Sequence, residues 1–187
     1  MMRIALDQRE VQKWGKMCAK HPSSAVVAML LRRAGSERVL ETTFGEGRFY
    51  LVHRPPFLAG VDPARRQWLV RPDLFFEMPV QIFLEKLARG EVAVPRIDTV
   101  VCDPPWGRGE YRKRPHFAAA RADGSPQQIV ECSAKVAELL GAKHFILHFD
   151  RVPAIEGMDA EAVVEFKPFT RYLNAGRTVT FFVLYSL

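Results

Sequence analysis

The most constraining feature of this chain is an apolar run that stops abruptly at an acid, two prolines and a tryptophan. Residues 97–102 read Ile-Asp-Thr-Val-Val-Cys, and Asp103-Pro104-Pro105-Trp106 follows them directly. The run has the length and β-branched content of a buried strand. Because proline fixes φ and has no N–H, a central strand does not continue through the pair. The pattern therefore predicts a strand that delivers Asp103 to its carboxyl end, where open α/β sheets place their ligands.

The same four residues suit the exocyclic amine of a nucleobase. The lone pair of that nitrogen is delocalised into the ring, which makes it a poor nucleophile. If the Asp103 carboxylate and the Pro104 carbonyl each accept one N–H, the lone pair becomes available for attack. Trp106 offers a flat face on which a base can stack. The alternative interpretation is a Pro-Pro turn that does no more than end a strand.

A second motif lies upstream, where two further strands are predicted to end in acids. Residues 38–41 form a short strand ending at Glu41, and Gly45 and Gly47 follow it. Glycines let a backbone turn tightly and approach a ligand closely. The next strand ends at Asp62, and in nucleotide sites an acid at this place binds ribose hydroxyls. Asp62-Pro63 also fits a helix start, with Asp62 as N-cap, and both interpretations can hold together.

Together these residues resemble the class I S-adenosylmethionine-dependent methyltransferases, and specifically the enzymes that methylate exocyclic amines of nucleic-acid bases. Their Asp/Asn-Pro-Pro-aromatic motif matches Asp103–Trp106, and the tryptophan form is similar to the adenine-N6 branch. Their acid-x-x-x-Gly-x-Gly loop matches Glu41, Gly45 and Gly47. In this chain Glu41 replaces the commoner Asp, and Thr43 stands where many adenine enzymes have Phe or Gly. The Thr-Phe-Gly-Glu-Gly string is similar to a loop of rRNA cytosine-N4 methyltransferases.

The resemblance implies an α/β, Rossmann-like methyltransferase fold with a seven-stranded, mostly parallel sheet and a C-terminal antiparallel hairpin. It implies S-adenosyl-L-methionine as cofactor and no metal. For catalysis, the implied residues are Asp103, Pro104, Pro105 and Trp106. For the cofactor, they are Glu41, Thr43, Phe44, Gly45, Gly47, Asp62 and Asp73. Asp62 would bind the ribose, and Asp73 would contact the adenine.

The charge of the chain is compatible with a nucleic-acid substrate. The net charge is +6 and the pI is near 9.5, which favours binding to polyanions. A basic and aromatic stretch follows Trp106 directly, where cations suit phosphates and rings suit bases. The predicted substrate-binding residues are Arg108, Tyr111, Arg112, Lys113 and Arg114. The alternative is a solvated loop without a ligand.

The length favours a single domain over residues 1–187, and the resemblance implies that it is a methyltransferase domain with an N-terminal helical extension over 1–23. The chain has 187 residues, 48% of them hydrophobic, which suffices for one substantial core. No separate target-recognition domain fits. No apolar stretch reaches 18 residues, so no membrane span is expected. Three widely spaced cysteines form neither a metal motif nor a disulfide pattern, which favours a cytoplasmic setting.

Coarse periodicity completes the expected order of elements. Helices are predicted over 8–19, from Ser23 or Ser24 to Arg33, over 78–89 and over 126–140. A strand is predicted over 143–149, with His144 and His148 as packing positions on one side of it. Two last strands, 162–172 and 177–185, are predicted to be joined through Asn174-Ala175-Gly176.

The sequence thus predicts a methyltransferase acting on an exocyclic base amine, with adenine N6 in RNA favoured. RNA is favoured over DNA because sequence-specific DNA enzymes usually carry a target-recognition domain; a partner protein would then supply recognition. DNA adenine and the amines of RNA cytosine or guanine are alternatives. A protein-glutamine methyltransferase is another, although that branch normally has Asn and Tyr in the motif. The non-enzymatic alternative is a nucleic-acid-binding subunit with a degenerate methyltransferase fold, against which the intact Asp103 and both glycines argue.

Overall fold

One mixed sheet of eight strands organises the computed structural model, in which residues 1–105, 124–167 and 179–187 are described. The strands are β1 (Met2–Asp7), β2 (Arg38–Glu41), β3 (Phe57–Asp62), β4 (Leu74–Glu77), β5 (Thr99–Cys102), β6 (His144–Phe149), β7 (Asp159–Lys167) and β8 (Thr180–Ser186). Their order across the sheet is β1-β7-β8-β6-β5-β2-β3-β4. Neighbours pair in parallel, except that β8 is antiparallel to both β6 and β7.

The α/β class, the mostly parallel sheet and an antiparallel pair of strands near the C-terminus, β7 and β8, are confirmed, but the prediction of seven strands was wrong. The eighth strand is β1, which lies within the supposed helical extension and pairs in parallel with β7. Its apolar residues Met2, Ile4 and Leu6 alternate with more exposed neighbours, which is the period of a half-buried strand. The helix predicted over 8–19 is instead two short helices, α1 (Gln8–Gln12) and α2 (Lys16–Lys20). Gly15, with φ of 132°, separates them.

Helices cover both faces of the sheet. The longer ones are α3 (Pro22–Ala34), α4 (Val80–Ala88) and α5 (Pro126–Leu139), and a 3-10 helix spans Arg48–Tyr50. Val39 and Val101 pack in a core with α1 and α3, whereas Leu40 and Val100 pack in a second core with α4 and α5. Strands β2 and β5 are therefore buried on both faces, which explains why both read as nearly continuous apolar runs.

The connection from β3 to β4 contains no helix. Residues 63–73 cross the sheet face as an irregular segment, so Asp62-Pro63 does not begin a helix. Trp68 anchors this segment against Phe75, with ring centroids 5.2 Å apart. The Arg65 guanidinium lies 5.6 Å from the Trp68 ring centroid. An aromatic anchor thus covers surface that a crossover helix usually covers.

The predicted turn of the C-terminal hairpin, at Asn174-Ala175-Gly176, lies outside the described residues. Within the parts of the chain that the structure describes, no helix is long and apolar enough to cross a membrane.

Candidate active site

The order of the strands creates a crevice between β2 and β5. From β2 the chain moves outward through β3 to β4, and then returns to β5 on the other side of β2. Where the direction of winding reverses in an open α/β sheet, ligands bind outside the carboxyl ends of the strands. Glu41 ends β2 and Cys102 ends β5, so Asp103 and the glycine loop, residues 42–47, both lie at this crevice.

A side-chain hydrogen bond joins the two predicted motifs across the crevice. The Asp103 N–H donates to Thr43 Oγ1 at 2.7 Å, although the two residues are 60 positions apart. The neighbouring Thr42 N–H donates to the Val101 carbonyl oxygen at 2.9 Å, which extends the β2–β5 ladder to the edge. Thr43 thereby fixes the backbone of Asp103 relative to the glycine loop.

Asp62 holds the glycine loop through its carboxylate. Its Oδ2 accepts the Gly45 N–H at 2.9 Å, and its Oδ1 accepts the Ala64 N–H at 3.0 Å. Gly45 has a φ of 54°, a left-handed conformation that glycine adopts without a steric penalty. A carboxylate offers about four acceptor positions, so Asp62 retains the capacity to accept from ligand hydroxyls.

Phe44 and Gly47 support the loop from within the protein. The Phe44 side chain is buried and stacks on Tyr50. A Cβ at Gly60 would lie 2.5 Å from Phe44 Cγ, and a Cβ at Gly47 would lie 2.5 Å from the Val70 carbonyl oxygen. The chain itself therefore makes a close approach at Gly47, and the role of Gly47 in cofactor binding stays a prediction.

Glu41 is a buried acid with an unsatisfied oxygen. It is 3% exposed, and its Oε2 has no hydrogen-bond partner within the described chain. Burial raises the pKa of Glu41 well above its usual value, the Asp103 and Asp62 carboxylates raise it further, and the Tyr50 hydroxyl opposes the rise. The Tyr50 hydroxyl also makes no hydrogen bond of acceptable geometry to any described residue. A cationic or hydrogen-donating ligand group would satisfy Glu41 at this position.

His148 contacts Asp103, a pairing that the sequence interpretation missed. Its Nδ1 lies 2.9 Å from Asp103 Oδ1. The imidazole stacks on Phe182, with ring centroids 4.0 Å apart and planes 8° from parallel, and meets the edge of Phe49. Packing was predicted for His148, whereas the bond to Asp103 was not. Of the following prolines, Pro104 is buried and Pro105 is half-buried.

Asp73 is not brought to this crevice. It precedes β4, at the opposite edge of the sheet, where it accepts from Arg54 at 2.7 Å and from the Leu58 N–H at 2.8 Å. Desolvation raises the pKa of Asp73, but these two hydrogen bonds outweigh it and lower the pKa overall. Arg54 and Asp73 line a shallow groove with Tyr50 and residues 69–72. A cofactor role in the crevice does not fit the position of Asp73. The acid that ends β4 on the side of the crevice is Glu77, which lies opposite Asp62 in the register of β3 and β4.

The predicted residues Trp106, Arg108, Tyr111, Arg112, Lys113 and Arg114 lie outside the described part of the chain. Their roles stay predictions. In comparisons with known proteins, no family model matches the chain and no curated protein gives a significant match. The case for a function therefore rests on the motifs and on the geometry of the crevice.

Proposed function

We propose that this protein is an S-adenosylmethionine-dependent methyltransferase acting on an exocyclic amine of a nucleic-acid base. The observation that carries the proposal is the convergence of two separate motifs at the crevice where the sheet reverses its winding. The glycine loop and Asp62 stand on one side, and Asp103 stands on the other, joined to the loop by the Thr43 hydrogen bond. Neither motif alone is specific, but their meeting at a ligand-binding position is what a two-substrate site needs.

The acids on the loop side suit this cofactor. S-adenosylmethionine supplies a methyl group activated by a sulfonium, and it also carries an ammonium and ribose hydroxyls. Glu41 has a buried oxygen without a partner, which a cationic group would satisfy. Asp62 lies at the end of β3, where it can accept from ribose hydroxyls while it continues to hold Gly45.

Asp103 and Pro104 suit the amine. The Asp103 carboxylate and the Pro104 carbonyl would each accept one N–H, which directs the nitrogen lone pair at the methyl group. As the nitrogen becomes positive, the carboxylate stabilises the developing charge. A base stacked inside a duplex cannot reach such a crevice, so the substrate is single-stranded, looped or flipped out.

Adenine N6 in RNA is the substrate that we favour within this class. A motif that ends in tryptophan is similar to the motif of the adenine-N6 branch. The net charge of +6 suits binding to a polyanion. We also propose that a partner protein supplies target recognition. We also propose a cytoplasmic location, because the three free cysteines suit a reducing compartment. The alternative substrates are DNA adenine and the amines of RNA cytosine or guanine. The identity of the methylated nucleoside distinguishes each of them from RNA adenine.

The test separates cofactor binding from methyl transfer. Calorimetry with S-adenosylmethionine should show weaker binding for Asp62→Ala and near wild-type binding for Asp103→Ala. Transfer of labelled methyl to total RNA, and separately to total DNA, should fall about 10²-fold in Asp103→Ala, because one transition-state contact is lost. The methylated nucleoside is then identified by mass spectrometry.

Asp73→Ala is the matched control, because it removes an acid of the same size at the opposite edge of the sheet. It should bind cofactor and transfer methyl as the wild type does, once circular dichroism has shown that it is folded. Wild-type cofactor affinity in Asp62→Ala together with wild-type transfer in Asp103→Ala would contradict the proposal.

A further inference from the structure

We propose that His148 is a positioning residue that determines which oxygen of Asp103 faces the amine. The inference rests on the proposed methyl transfer. An imidazole protonated at Nδ1 donates to Asp103 Oδ1 across 2.9 Å. With Oδ1 engaged in this way, Oδ2 is left to accept the N–H of the base.

Both residues of the pair are held by other parts of the fold. His148 has a side chain only 13% exposed, stacked on Phe182 of β8 and against Phe49 of the 3-10 helix. The Asp103 side chain is 37% exposed, but its backbone N–H is bound by Thr43. A half-exposed carboxylate without a second contact would sample several rotamers. The histidine removes that freedom before the substrate arrives, which is how pre-organisation lowers a barrier.

The charge on His148 should also affect the reaction. In the transfer, the nitrogen lone pair forms the bond to the methyl carbon, the electrons of the C–S bond stay on sulfur, and an N–H proton then passes to water. While the nitrogen becomes positive, a neutral imidazole leaves the His148–Asp103 pair with one negative charge. A protonated imidazole brings the pair to zero and weakens its attraction for the nitrogen. The proposal therefore requires the neutral imidazole with its proton on Nδ1.

Among the described residues, Asp103 is a charged group in direct contact with the His148 imidazole. The residues facing it from β8 and from the 3-10 helix are the rings of Phe182 and Phe49. Beyond β6 the chain continues with Asp150 and Arg151, both of which are exposed. Glu41 acts on Asp103 from the other side of the crevice, where the two carboxyl groups repel each other.

Two substitutions separate the hydrogen bond from the packing. His148→Phe keeps a ring against Phe182 but loses the donor. His148→Asn loses the ring but places an amide N–H near the position of Nδ1, and it does not titrate. With total RNA as the probe, kcat should fall about ten- to a hundredfold in His148→Phe with a smaller change in KM. In His148→Asn, kcat at pH 8 should recover much of this loss.

The split between kcat and KM, together with the rescue by His148→Asn, distinguishes positioning from a purely structural role. A structural role alone would not be rescued by an amide that restores the donor but removes the ring. His144→Asn is the matched control, since His144 begins the strand whose other end carries His148, and it should keep the wild-type kcat and KM.

A spectroscopic measurement tests the hydrogen bond without any substrate. In protein labelled with ¹⁵N-histidine, the His148 resonances should report the Nδ1–H form at pH 8 in the wild type, and this signature should be lost in Asp103→Ala. The Nε2–H form in the wild type would overturn the inference. So would an unchanged kcat in His148→Phe while Asp103→Ala is inactive. Full activity of Asp103→Ala would instead reject the proposed function itself.

Discussion

At the scale of single residues, Glu41 destabilises the fold at a position where the proposed site needs an acid. A hydrocarbon side chain at the end of β2 would pack without cost, whereas this carboxyl group is 3% exposed with an oxygen that no described residue satisfies. An unpaired buried polar atom costs stability and persists where a ligand makes use of it. We therefore interpret Glu41 as a residue retained for binding at the expense of the folded state.

The pH dependence of stability tests this interpretation of Glu41. Its folded-state pKa is raised above the usual value near 4.5, first by burial and then by Asp103. Stability linked to this proton is fully present below the unfolded pKa and is lost as pH rises towards the folded pKa. The free energy of unfolding should therefore fall as pH rises above about 5, by at most about 1.4 kcal/mol per pH unit.

Glu41→Gln removes the titration while it keeps the shape of the side chain. Urea unfolding should show that this variant gains stability relative to the wild type as pH rises, and that the difference shrinks towards pH 5. Glu46→Gln, a half-buried acid of the same loop that pairs with Arg48, serves as the control. A constant difference between Glu41→Gln and the wild type at all pH values would show that Glu41 is ionised in the folded protein.

The residues of the crevice were predictable where short sequence motifs specify them. Glu41, Gly45 and Asp62 follow strands at recognisable spacings, and the structure brings them together with Asp103. His148 could not be found in this way, because its contact with Asp103 spans 45 positions and depends on the register of β5 against β6. Asp73, the adenine contact that the resemblance implies, directly precedes β4, whereas the acid that ends this strand is Glu77.

At the scale of elements, the crossing from β3 to β4 was partly foreseeable. Eleven residues, 63–73, are few for a crossover helix with its two loops, and the chain uses an irregular segment with an aromatic anchor instead. This segment also supports the glycine loop, since the N–H groups of Leu69 and Val70 point to the Glu46 carbonyl at 2.9 and 3.3 Å. Strand β1 was missed because five alternating residues beside a helical pattern are a weak signal.

Trp68→Ala should loosen both the crossing segment and the glycine loop. Losing a half-buried indole should reduce the free energy of unfolding by about 2 kcal/mol. It should also weaken the binding of S-adenosylmethionine in calorimetry, because the Leu69 and Val70 contacts to Glu46 lose their anchor. Trp68→Phe keeps an aromatic ring against Phe75 and should recover most of both properties. Cofactor affinity unchanged in a destabilised Trp68→Ala would separate the segment from the site.

At the scale of the whole molecule, the alternation of strands and helices is what the sequence predicted best. Doubly buried strands and amphipathic helices are local patterns, and together they specify an α/β sheet with helices on both faces. The site then follows from topology, because the return of the chain from β4 to β5 places the crevice between β2 and β5. The number of strands could not be predicted in this way. An edge strand such as β1 pairs with one neighbour and is only partly buried, so its sequence pattern is weak.

Charge is the whole-molecule property that links the fold to its proposed substrate. A surplus of +6 attracts any polyanion, so the question is whether binding follows the net charge or a local site. Arg112, Lys113 and Arg114 follow the Asp103 motif in sequence and lie outside the described residues. Lys86, Arg89 and Arg96 are a matched set of three cations at the far end of α4 and before β5, near the opposite edge of the sheet.

Replacing Arg112, Lys113 and Arg114 with Ala should weaken the binding of a single-stranded RNA and flatten its dependence on salt. When phosphate contacts are lost, fewer counterions are released on binding. The slope of log Kd against log salt should therefore fall by about two for three contacts. Fluorescence anisotropy with a labelled 20-nucleotide RNA measures the slope, and calorimetry checks that S-adenosylmethionine still binds. The Lys86, Arg89 and Arg96 triple variant removes the same net charge and should change the slope much less. Equal slopes in the two triple variants would mean that RNA senses the total charge of the protein and not a surface beside Asp103.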